Sequence, residues 1–179
     1  MASVCGVSIR NRRLFKDHEG MNCYQGEIYL SGKKIGFWSE DFKGSPWSDL
    51  KMEPGYSEEK LRQAVQQARA PQNSEKSIET SICFELLMME LNKLENMEIL
   101  YNEAKKLGYI GVLVSTDGFH IDYWRVPAGY QGRNILEEYK EELEQSHSQF
   151  LKNSKVEDKY YSEDDFIVGN AISEREIRI

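Results

Sequence analysis

The alternation of apolar and polar positions is clearest between residues 24 and 39. Two alternating runs flank Ser31-Gly32, and this pattern predicts a β-hairpin with a two-residue turn. On one face that closure defines three cross-strand pairs: Leu30 with Lys33, Ile28 with Ile35, and Gly26 with Phe37. On the other face it defines two more: Tyr29 with Lys34, and Gln25 with Trp38. We expect the Phe37 ring to cover the bare backbone of Gly26.

A second hairpin is predicted between residues 109 and 126, where two apolar runs flank Asp117-Gly118. Asp-Gly suits a type I′ turn, whose twist matches the twist of antiparallel strands. In this register Val114 lies opposite Ile121, and Val112 lies opposite Tyr123. A further strand, ahead of the first hairpin, is expected within residues 5–15.

Helical spacing of apolar residues predicts a first helix after Ser57, which suits an N-cap. Glu58 and Glu59 place acid at the positive end of the helix dipole, and Pro71 ends the helix. The apolar positions of this helix are Leu61, Ala64, Val65 and Ala68.

The longest helical region runs from about Glu75 to Leu107 and carries two apolar stripes. The first stripe comprises Ile78, Ile82, Leu86 and Met89. The second stripe comprises Met97, Leu100, Tyr101, Ala104 and Leu107. Because Lys93 and Asn96 interrupt the phase, we expect two helices or one kinked helix, with residues 86–89 at the buried centre.

A third amphipathic helix is predicted over Asn134–Asn153, followed by a polar, acidic stretch to residue 165. The inner stripe of this helix comprises Ile135, Leu136, Tyr139, Leu143 and Phe150. Residues 166–168 and 176–179 can return to the fold as an edge strand or a docked tail.

The order strands, helices, strands, helix predicts an α+β fold. We expect antiparallel β-hairpins at about residues 24–39 and 109–126, with helices packed on one face. Whether the two hairpins join into one sheet stays open. The domain expectation is a single α+β domain over residues 1–153, followed by an acidic C-terminal segment, residues 154–179, that can dock on it.

The composition, 40% hydrophobic and 30% charged in 179 residues, is that of a soluble globular protein. Neither an apolar run of membrane-spanning length nor a secretory signal is visible, so we expect no membrane association and a cytoplasmic location. Cys5, Cys23 and Cys83 are odd in number and widely spaced, which argues against a disulfide framework and for buried or idle thiols. We expect neither a metal nor another cofactor, since no ligand or nucleotide motif is present.

The charge is distributed unevenly along the chain, whose formal net charge is -7. Residues 137–165 hold ten Asp and Glu against four Lys and Arg, which gives -6. The first sixteen residues hold four basic residues and no acid. A concentrated acidic surface on a small domain is suited to a basic partner.

Two groups of residues carry this hypothesis, and each has a plainer alternative. Five carboxylates on the third helix can imitate the phosphates of a nucleic acid, or they can form an ordinary solvated face: Glu137, Glu138, Glu141, Glu142 and Glu144. Acid mixed with tyrosine in the C-terminal segment suits protein binding, or the segment is simply soluble and mobile: Tyr160, Tyr161, Glu163, Asp164 and Asp165.

A small enzyme is an alternative, centred on His120 and Asp122 in the second hairpin. The predicted register places His120 beside Ser115, and a His-Asp pair on one strand face can hold an imidazole for acid–base work. Cys83 and Ser115 are the candidate nucleophiles, although neither is visibly paired with the imidazole. His18 and His147 are expected at the surface.

The stretch from Tyr24 to Asp41 resembles the opening hairpin of small uncharacterised proteins from phages and mobile elements of Gram-positive bacteria. The resemblance covers about a tenth of the chain and assigns no role to any residue. It implies an inhibitor, of the counter-defence, anti-CRISPR or immunity type, acting in the host-cell cytoplasm.

These observations together predict a non-enzymatic binding protein that inhibits a larger, basic, nucleic-acid-handling partner, such as a nuclease or a CRISPR effector. It would occlude the nucleic-acid-binding surface of that partner and would not contact nucleic acid itself. The alternatives are the small enzyme, an immunity protein, and a structural protein that assembles into homo-oligomers.

Overall fold

The protein has an α+β fold, as its pattern of strands and helices predicts. The computed structural model describes residues 1–17, 19–40, 49–69, 80–116, 121–129 and 155–179. The predicted third helix, Asn134–Asn153, and the Asp117-Gly118 turn lie outside the described residues.

The described elements follow one another in this order: β1 (Ser3–Val4), β2 (Val7–Lys16), β3 (Asn22–Leu30), β4 (Lys33–Ser39), β5 (Asp49–Met52), α1 (Glu58–Arg69), α2 (Thr80–Lys106), β6 (Gly111–Thr116), β7 (Ile121–Val126), β8 (Lys155–Tyr160), a short 3₁₀ helix (Glu163–Phe166), β9 (Ile167–Val168) and α3 (Glu174–Ile177).

The chain forms two compact units. Unit 1 comprises Met1–Glu95 and Ile167–Ile179, and unit 2 comprises Asn96–Phe166. The boundary falls within α2, next to Lys93 and Asn96, where the apolar stripe of the sequence changes phase. The C-terminal segment that composition sets apart at residue 154 therefore supplies strands to both units.

Unit 1 is built on a mixed sheet of described strands in the order β5-β4-β3-β2-β1-β9. All neighbours pair antiparallel except β1 and β9, which run parallel. The strand expected within residues 5–15 is β2, and Cys5 (φ 51°) and Gly6 (φ 79°) make a tight turn between it and the preceding β1. A two-residue turn of type I′ requires positive φ at both of its central residues.

The first hairpin closes at Ser31-Gly32 as predicted, but its register shifts after two pairs. Leu30 pairs with Lys33 and Tyr29 with Lys34, and beyond them a β-bulge places two residues of β4 opposite one of β3. The pairs that follow replace the predicted ones: Ile28 with Gly36, Glu27 with Phe37, Gly26 with Trp38, and Gln25 with Ser39. Because side chains alternate along a strand, the extra residue turns Trp38 inward and Phe37 outward.

Gly26 is covered by a residue of β2 and not by Phe37. A Cβ atom at Gly26 would lie 2.7 Å from Ile9 Cγ1, so the aliphatic side chain occupies the space above the glycine backbone. The Phe37 ring cannot do so, because the bulge moves it to the other face of the sheet.

Helix α1 agrees with most of its sequence signals, although Ala68 of the predicted apolar face is exposed and Pro71 lies outside the described residues. Leu61, Ala64 and Val65 are buried, and the Ser57 hydroxyl accepts a hydrogen bond from Lys60 N at 3.3 Å, as an N-cap should.

Helix α2 is one continuous helix of 27 residues, so of the two expectations the single helix is the one observed. The predicted stripe Ile82, Leu86 and Met89 is exposed by 37%, 41% and 66%. The buried stripe lies beside it: Cys83, Phe84, Leu87, Met88 and Leu91. This part of α2 is apolar on several sides, so its periodicity cannot choose the face that meets the core. Met97, Tyr101 and Ala104 of the second stripe are buried as predicted, whereas Leu107 is 62% exposed.

Unit 2 contains a three-stranded antiparallel sheet in the order β7-β6-β8. The second hairpin is confirmed, but Val114 lies opposite Tyr123 and Val112 opposite Arg125, two residues from the predicted register. The first cross-strand pair is Thr116 with Ile121, so the connection is four residues long and not two. A shift of two residues keeps every side chain on its predicted face.

The C-terminal residues dock on unit 1, one of the two outcomes expected for them. Strand β9 adds to β1, Ser57 N donates to Ile177 O at 2.9 Å, and Ile179 N donates to Gly55 O at 3.1 Å. The Glu174 carboxylate holds the docked segment in place by accepting hydrogen bonds from Lys33 Nζ and Tyr56 Oη, both at 2.8 Å. The bond from Lys33, then those from Arg178 and Tyr56, lower the pKa of Glu174 from 4.5 to about 2.

Candidate functional site

Unit 2 carries almost all of the net charge of the chain. Unit 1 contains 16 Asp and Glu against 15 Lys and Arg, whereas unit 2 contains 14 against 8. The formal charges are therefore -1 and -6. The division of the chain by its contacts thus coincides with a division by charge, which makes unit 2 the candidate binding module.

The five predicted helix carboxylates belong by sequence to unit 2 but lie outside the described residues: Glu137, Glu138, Glu141, Glu142 and Glu144. The same is true of His120 and His147 of this unit, and of His18 of unit 1. The remaining predicted contact residues belong to the described C-terminal part of unit 2.

Tyr160 is a core residue and does not present a contact surface, contrary to its predicted role. Its side chain is 4% exposed, and its ring stacks on Phe166 with centroids 5.0 Å apart and planes 5° apart. Tyr101 contacts the same Phe166 ring at 5.4 Å. Residue Tyr160 ends β8, and its ring belongs to the core of unit 2.

Tyr161 and Asp165 both shape the turn that follows β8. The Asp165 carboxylate accepts hydrogen bonds from Tyr161 N at 2.6 Å and Ser162 N at 2.8 Å. The Tyr161 ring is half-buried against Gly111, and burial raises the pKa of its phenol. At Gly111 a Cβ atom would lie 2.6 Å from Tyr160 O, so only glycine lets the two chain segments approach this closely.

Glu163 and Asp164 are exposed, as a contact with a partner requires. The carboxylates of this turn also affect the pKa of a neighbouring phenol, that of Tyr101. Burial raises the pKa of the Tyr101 phenol, and the Glu163 and Asp165 carboxylates raise it further. Of the five C-terminal residues predicted for binding, Tyr160 is buried and Asp165 accepts backbone hydrogen bonds, so Glu163 and Asp164 are the acids best placed for contact.

His120 lies outside the described residues, and it is not the residue that pairs with Ser115. Ser115 pairs with Asp122 instead, because the hairpin register differs by two residues from the predicted one. Cys5, Cys23 and Cys83 are buried, and burial raises the pKa of the Cys5 thiol. Within the described ranges, no three His, Cys, Asp or Glu residues are placed to hold a metal ion.

Two of the four basic N-terminal residues, Arg10 and Arg12, make contacts within unit 1. The Arg10 guanidinium lies 4.2 Å from the centroid of the Tyr29 ring on the sheet. Arg12 Nε pairs with Glu95 Oε2 at 3.1 Å, and Arg12 Nη1 donates to Asn92 O at 3.1 Å. The Arg12 contacts tie β2 to α2, whereas Arg13 and Lys16 of the same strand are exposed.

Unit 2 also contains a cleft that the sequence did not predict. It measures about 350 Å³ and is lined by Leu100, Tyr109, Val112, Tyr123, Trp124 and Arg125. The run Tyr123-Trp124-Arg125 in β7 is the one sequence signal for it, since aromatic residues and arginine are typical of contact sites. Leu100 comes from α2 and Tyr109 precedes β6, so only the tertiary structure brings the lining together.

Comparisons with known protein families, curated proteins and solved structures yield no match to this chain. In the part of the chain that the structure describes, no helix is long and apolar enough to cross a membrane.

Proposed function

We propose that this chain is a non-enzymatic acidic binding protein that inhibits a basic, nucleic-acid-handling partner. It acts in the cytoplasm of a host cell as a counter-defence protein of the anti-CRISPR type. Its partner is a larger nuclease or CRISPR effector, and its acidic unit occupies the surface on which that partner binds nucleic acid.

The observation that carries this proposal is the concentration of charge in unit 2. A charge of -6 in the 71 residues of Asn96–Phe166, beside a unit of -1, is a local excess of negative charge. Five of its carboxylates fall at spacings of three and four residues within 137–144, where like charges repel by a few tenths of a kcal/mol per pair. A sequence that keeps such repulsion gains from it when a basic surface neutralises the charges.

The proposed mechanism is electrostatic and steric. A basic nucleic-acid groove attracts any dense array of negative charge, because most of its non-specific affinity comes from contacts with phosphates. Carboxylates at helical spacing supply such an array without a phosphate backbone, and the body of the protein then blocks the groove.

Affinity capture with charge variants tests this proposal. The test variant changes Glu137, Glu138, Glu141, Glu142 and Glu144 to Gln. The control variant changes five acids of unit 1 to the matching amides: Glu19, Asp49, Glu53, Glu58 and Glu59. Both variants alter the net charge by the same amount, so a difference between them reports the location of the charge and not its total.

We expect the native protein and the control variant to retain the same nucleic-acid-binding protein from a source-cell lysate, and the test variant to lose it. Retention by all three proteins, or loss from both variants alike, would contradict the proposal. Circular dichroism and thermal unfolding of each variant establish that the substituted chains are folded before capture is compared.

A further inference from the structure

The last thirteen residues of the chain, Ile167–Ile179, complete unit 1 from the far end of the sequence, and we call them the C-terminal strap. Strand β9 of the strap pairs with β1, and main-chain hydrogen bonds join its other end to the residues that precede α1. Within the strap Ile172 and Ile177 are buried, whereas nine of the thirteen residues are exposed. A terminal segment that buries so few side chains opens at a lower free energy than the core of its unit.

The strap lies against Cys5, at the turn between β1 and β2. Cys5 N donates a hydrogen bond to Val168 O at 2.7 Å, and Ile172 N donates to Cys5 O at 2.9 Å. A Cβ atom at Gly169 would lie 3.1 Å from Cys5 Sγ, so the strap backbone covers the thiol, and Cys5 is 2% exposed. Opening of the strap therefore exposes Cys5 to a thiol reagent, and the reactivity of Cys5 reports how often the strap is open.

The strap follows unit 2 without a linker. Phe166 is the last residue of unit 2, where it is fully buried and contacts the rings of Tyr101 and Tyr160. Ile167 is the next residue and already belongs to β9. A segment that is tethered directly to a fixed residue has a high effective concentration at its docking site, and a longer tether lowers that concentration. Packing of Phe166 thus favours docking of the strap.

We propose that the C-terminal strap is a conformational device that opens as one segment and is held closed by the packing of Phe166 in unit 2. Loss of that packing lengthens the tether and releases the strap from β1. Because coupling between two equilibria is reciprocal, a ligand that stabilises the packing of Phe166 also closes the strap. The proposal follows from the strand order and the junction between Phe166 and Ile167, and it does not depend on the proposed function.

Helix α2 offers a second route by which unit 2 could influence unit 1. The chain also passes from unit 1 to unit 2 between Glu95 and Asn96, within the continuous helix. An effect carried by α2 would reach unit 1 whether or not the strap is directly tethered to Phe166. Separating the strap from Phe166 with a flexible insertion therefore distinguishes the two routes.

Alkylation of the three cysteines with iodoacetamide measures opening of the strap in the full-length protein, and mass spectrometry of the peptides gives a rate for each thiol. Cys23 and Cys83 are also buried, and they lie on β3 and α2, so they report opening of the core of unit 1. Ile177→Ala removes a buried strap side chain, and the matched control Ile179→Ala removes the same side chain where it is 86% exposed. We expect Ile177→Ala to speed labelling of Cys5 at least about tenfold more than that of Cys23 and Cys83, and Ile179→Ala to change no rate.

A cycle of four proteins tests the role of Phe166: the native chain, Phe166→Leu, a flexible Gly-Ser insertion between Phe166 and Ile167, and the insertion combined with Phe166→Leu. We expect Phe166→Leu to speed Cys5 labelling at least about fivefold in the native sequence, because the effective tether lengthens. In the chain with the insertion, the same substitution should change the rate less than about twofold. Phe166→Met serves where the leucine variant does not fold, which circular dichroism establishes.

Equal acceleration of all three thiols by Ile177→Ala would mean that the strap opens only when unit 1 unfolds, and an unchanged Cys5 rate would mean that the strap does not cover the thiol. Either result overturns the proposal. An unchanged Cys5 rate in Phe166→Leu, or the same acceleration with and without the insertion, would overturn the role of Phe166. The capture experiment is independent of these results, because its variants alter neither the strap nor Phe166.

Discussion

Trp38 and Phe37 show how one inserted residue decides which aromatic ring belongs to the core. The two are neighbours in β4, yet Trp38 is 1% exposed and Phe37 is 38% exposed. Ile35 and Gly36, next to them, are both buried, which a regular alternating strand does not allow. The bulge between these residues and β3 therefore reverses the faces of the second half of the strand.

A pair of alanine substitutions tests this reversal. We expect Trp38→Ala to lower the free energy of unfolding by about 3–5 kcal/mol. Phe37→Ala should lower it by less than about 1.5 kcal/mol, because the ring is partly exposed. Denaturant unfolding measures both, and Trp38→Phe serves where the alanine variant does not fold. A regular hairpin predicts the opposite order of the two losses.

The Glu174 carboxylate should make the stability of the fold around the docked C-terminus depend on pH. Its carboxyl has a folded pKa of about 2 against an ordinary 4.5, so its ion pairs stabilise the fold above pH 4.5. That stabilisation should be lost as the pH falls from 4.5 towards 2. The free energy of unfolding of Glu174→Gln should therefore depend less on pH over this interval than that of the native protein.

The matched control is Glu59→Gln, which removes an exposed carboxylate of α1 that accepts a hydrogen bond from Gln63 at 3.2 Å. Denaturant unfolding at pH 7 and pH 3 compares the three proteins. An unchanged pH dependence in Glu174→Gln would mean that the carboxylate does not hold the docked segment.

At the scale of elements, α2 carries apolar residues on more than one side, and only one side meets the core. Leu87 is fully buried, whereas Leu86, its neighbour, is 41% exposed. We expect Leu87→Ala to cost about 2–5 kcal/mol of stability and Leu86→Ala less than about 1 kcal/mol. Similar losses for the two substitutions, measured by thermal or denaturant unfolding, would contradict the orientation of the helix.

The local features of the chain were predictable, and the features that depend on distant residues were not. Local signals predict the hairpins and α1, because turns and caps depend on neighbouring residues. These signals are the apolar runs, the Ser31-Gly32 turn and the N-cap Ser57. The bulge in β4 could not be predicted, since it depends on which ring the core admits. The Asp-Gly signal likewise did not predict the register of the second hairpin, in which Thr116 pairs with Ile121.

The sequence patterns could not predict the long-range strand pairs either, because these pairs join residues that are far apart in the chain. Strand β8 joins β6, and β9 joins β1 from the opposite end of the chain. The acidity of residues 154–165 marks them as a solvated tail, yet Tyr160 and Phe166 within and beside that stretch are buried. The burial of these two rings stabilises the segment despite the surrounding charges, because the charged side chains of an edge strand can remain in water. The cleft was missed because its lining comes from α2 and two strands.

At the scale of the whole molecule, the two units differ more in charge than in architecture. Unit 1 is nearly neutral and closes on itself through the docked C-terminus, while unit 2 carries a charge of -6. Under the proposed function, this contrast would place recognition in unit 2. Binding that depends on charge should weaken with added salt, whereas binding that depends on shape should not. The salt dependence of binding therefore distinguishes the two.

We expect the affinity for the captured partner to fall steeply between 50 mM and 200 mM salt, because mobile ions screen exposed charges on both proteins. Calorimetry of the native complex and of the five-Gln variant of unit 2 measures the two slopes. The variant should bind more weakly at low salt and change little with added salt. An affinity of the native protein that is indifferent to salt would contradict an electrostatic interface.

Competition with nucleic acid tests the central claim most directly. A labelled nucleic acid bound to the captured partner is titrated with the native protein and, separately, with the five-Gln variant of unit 2. We predict that the native protein releases the nucleic acid in proportion to the complex it forms, and that the variant does not. A ternary complex in which partner, nucleic acid and this protein bind together at undiminished affinity would contradict the account.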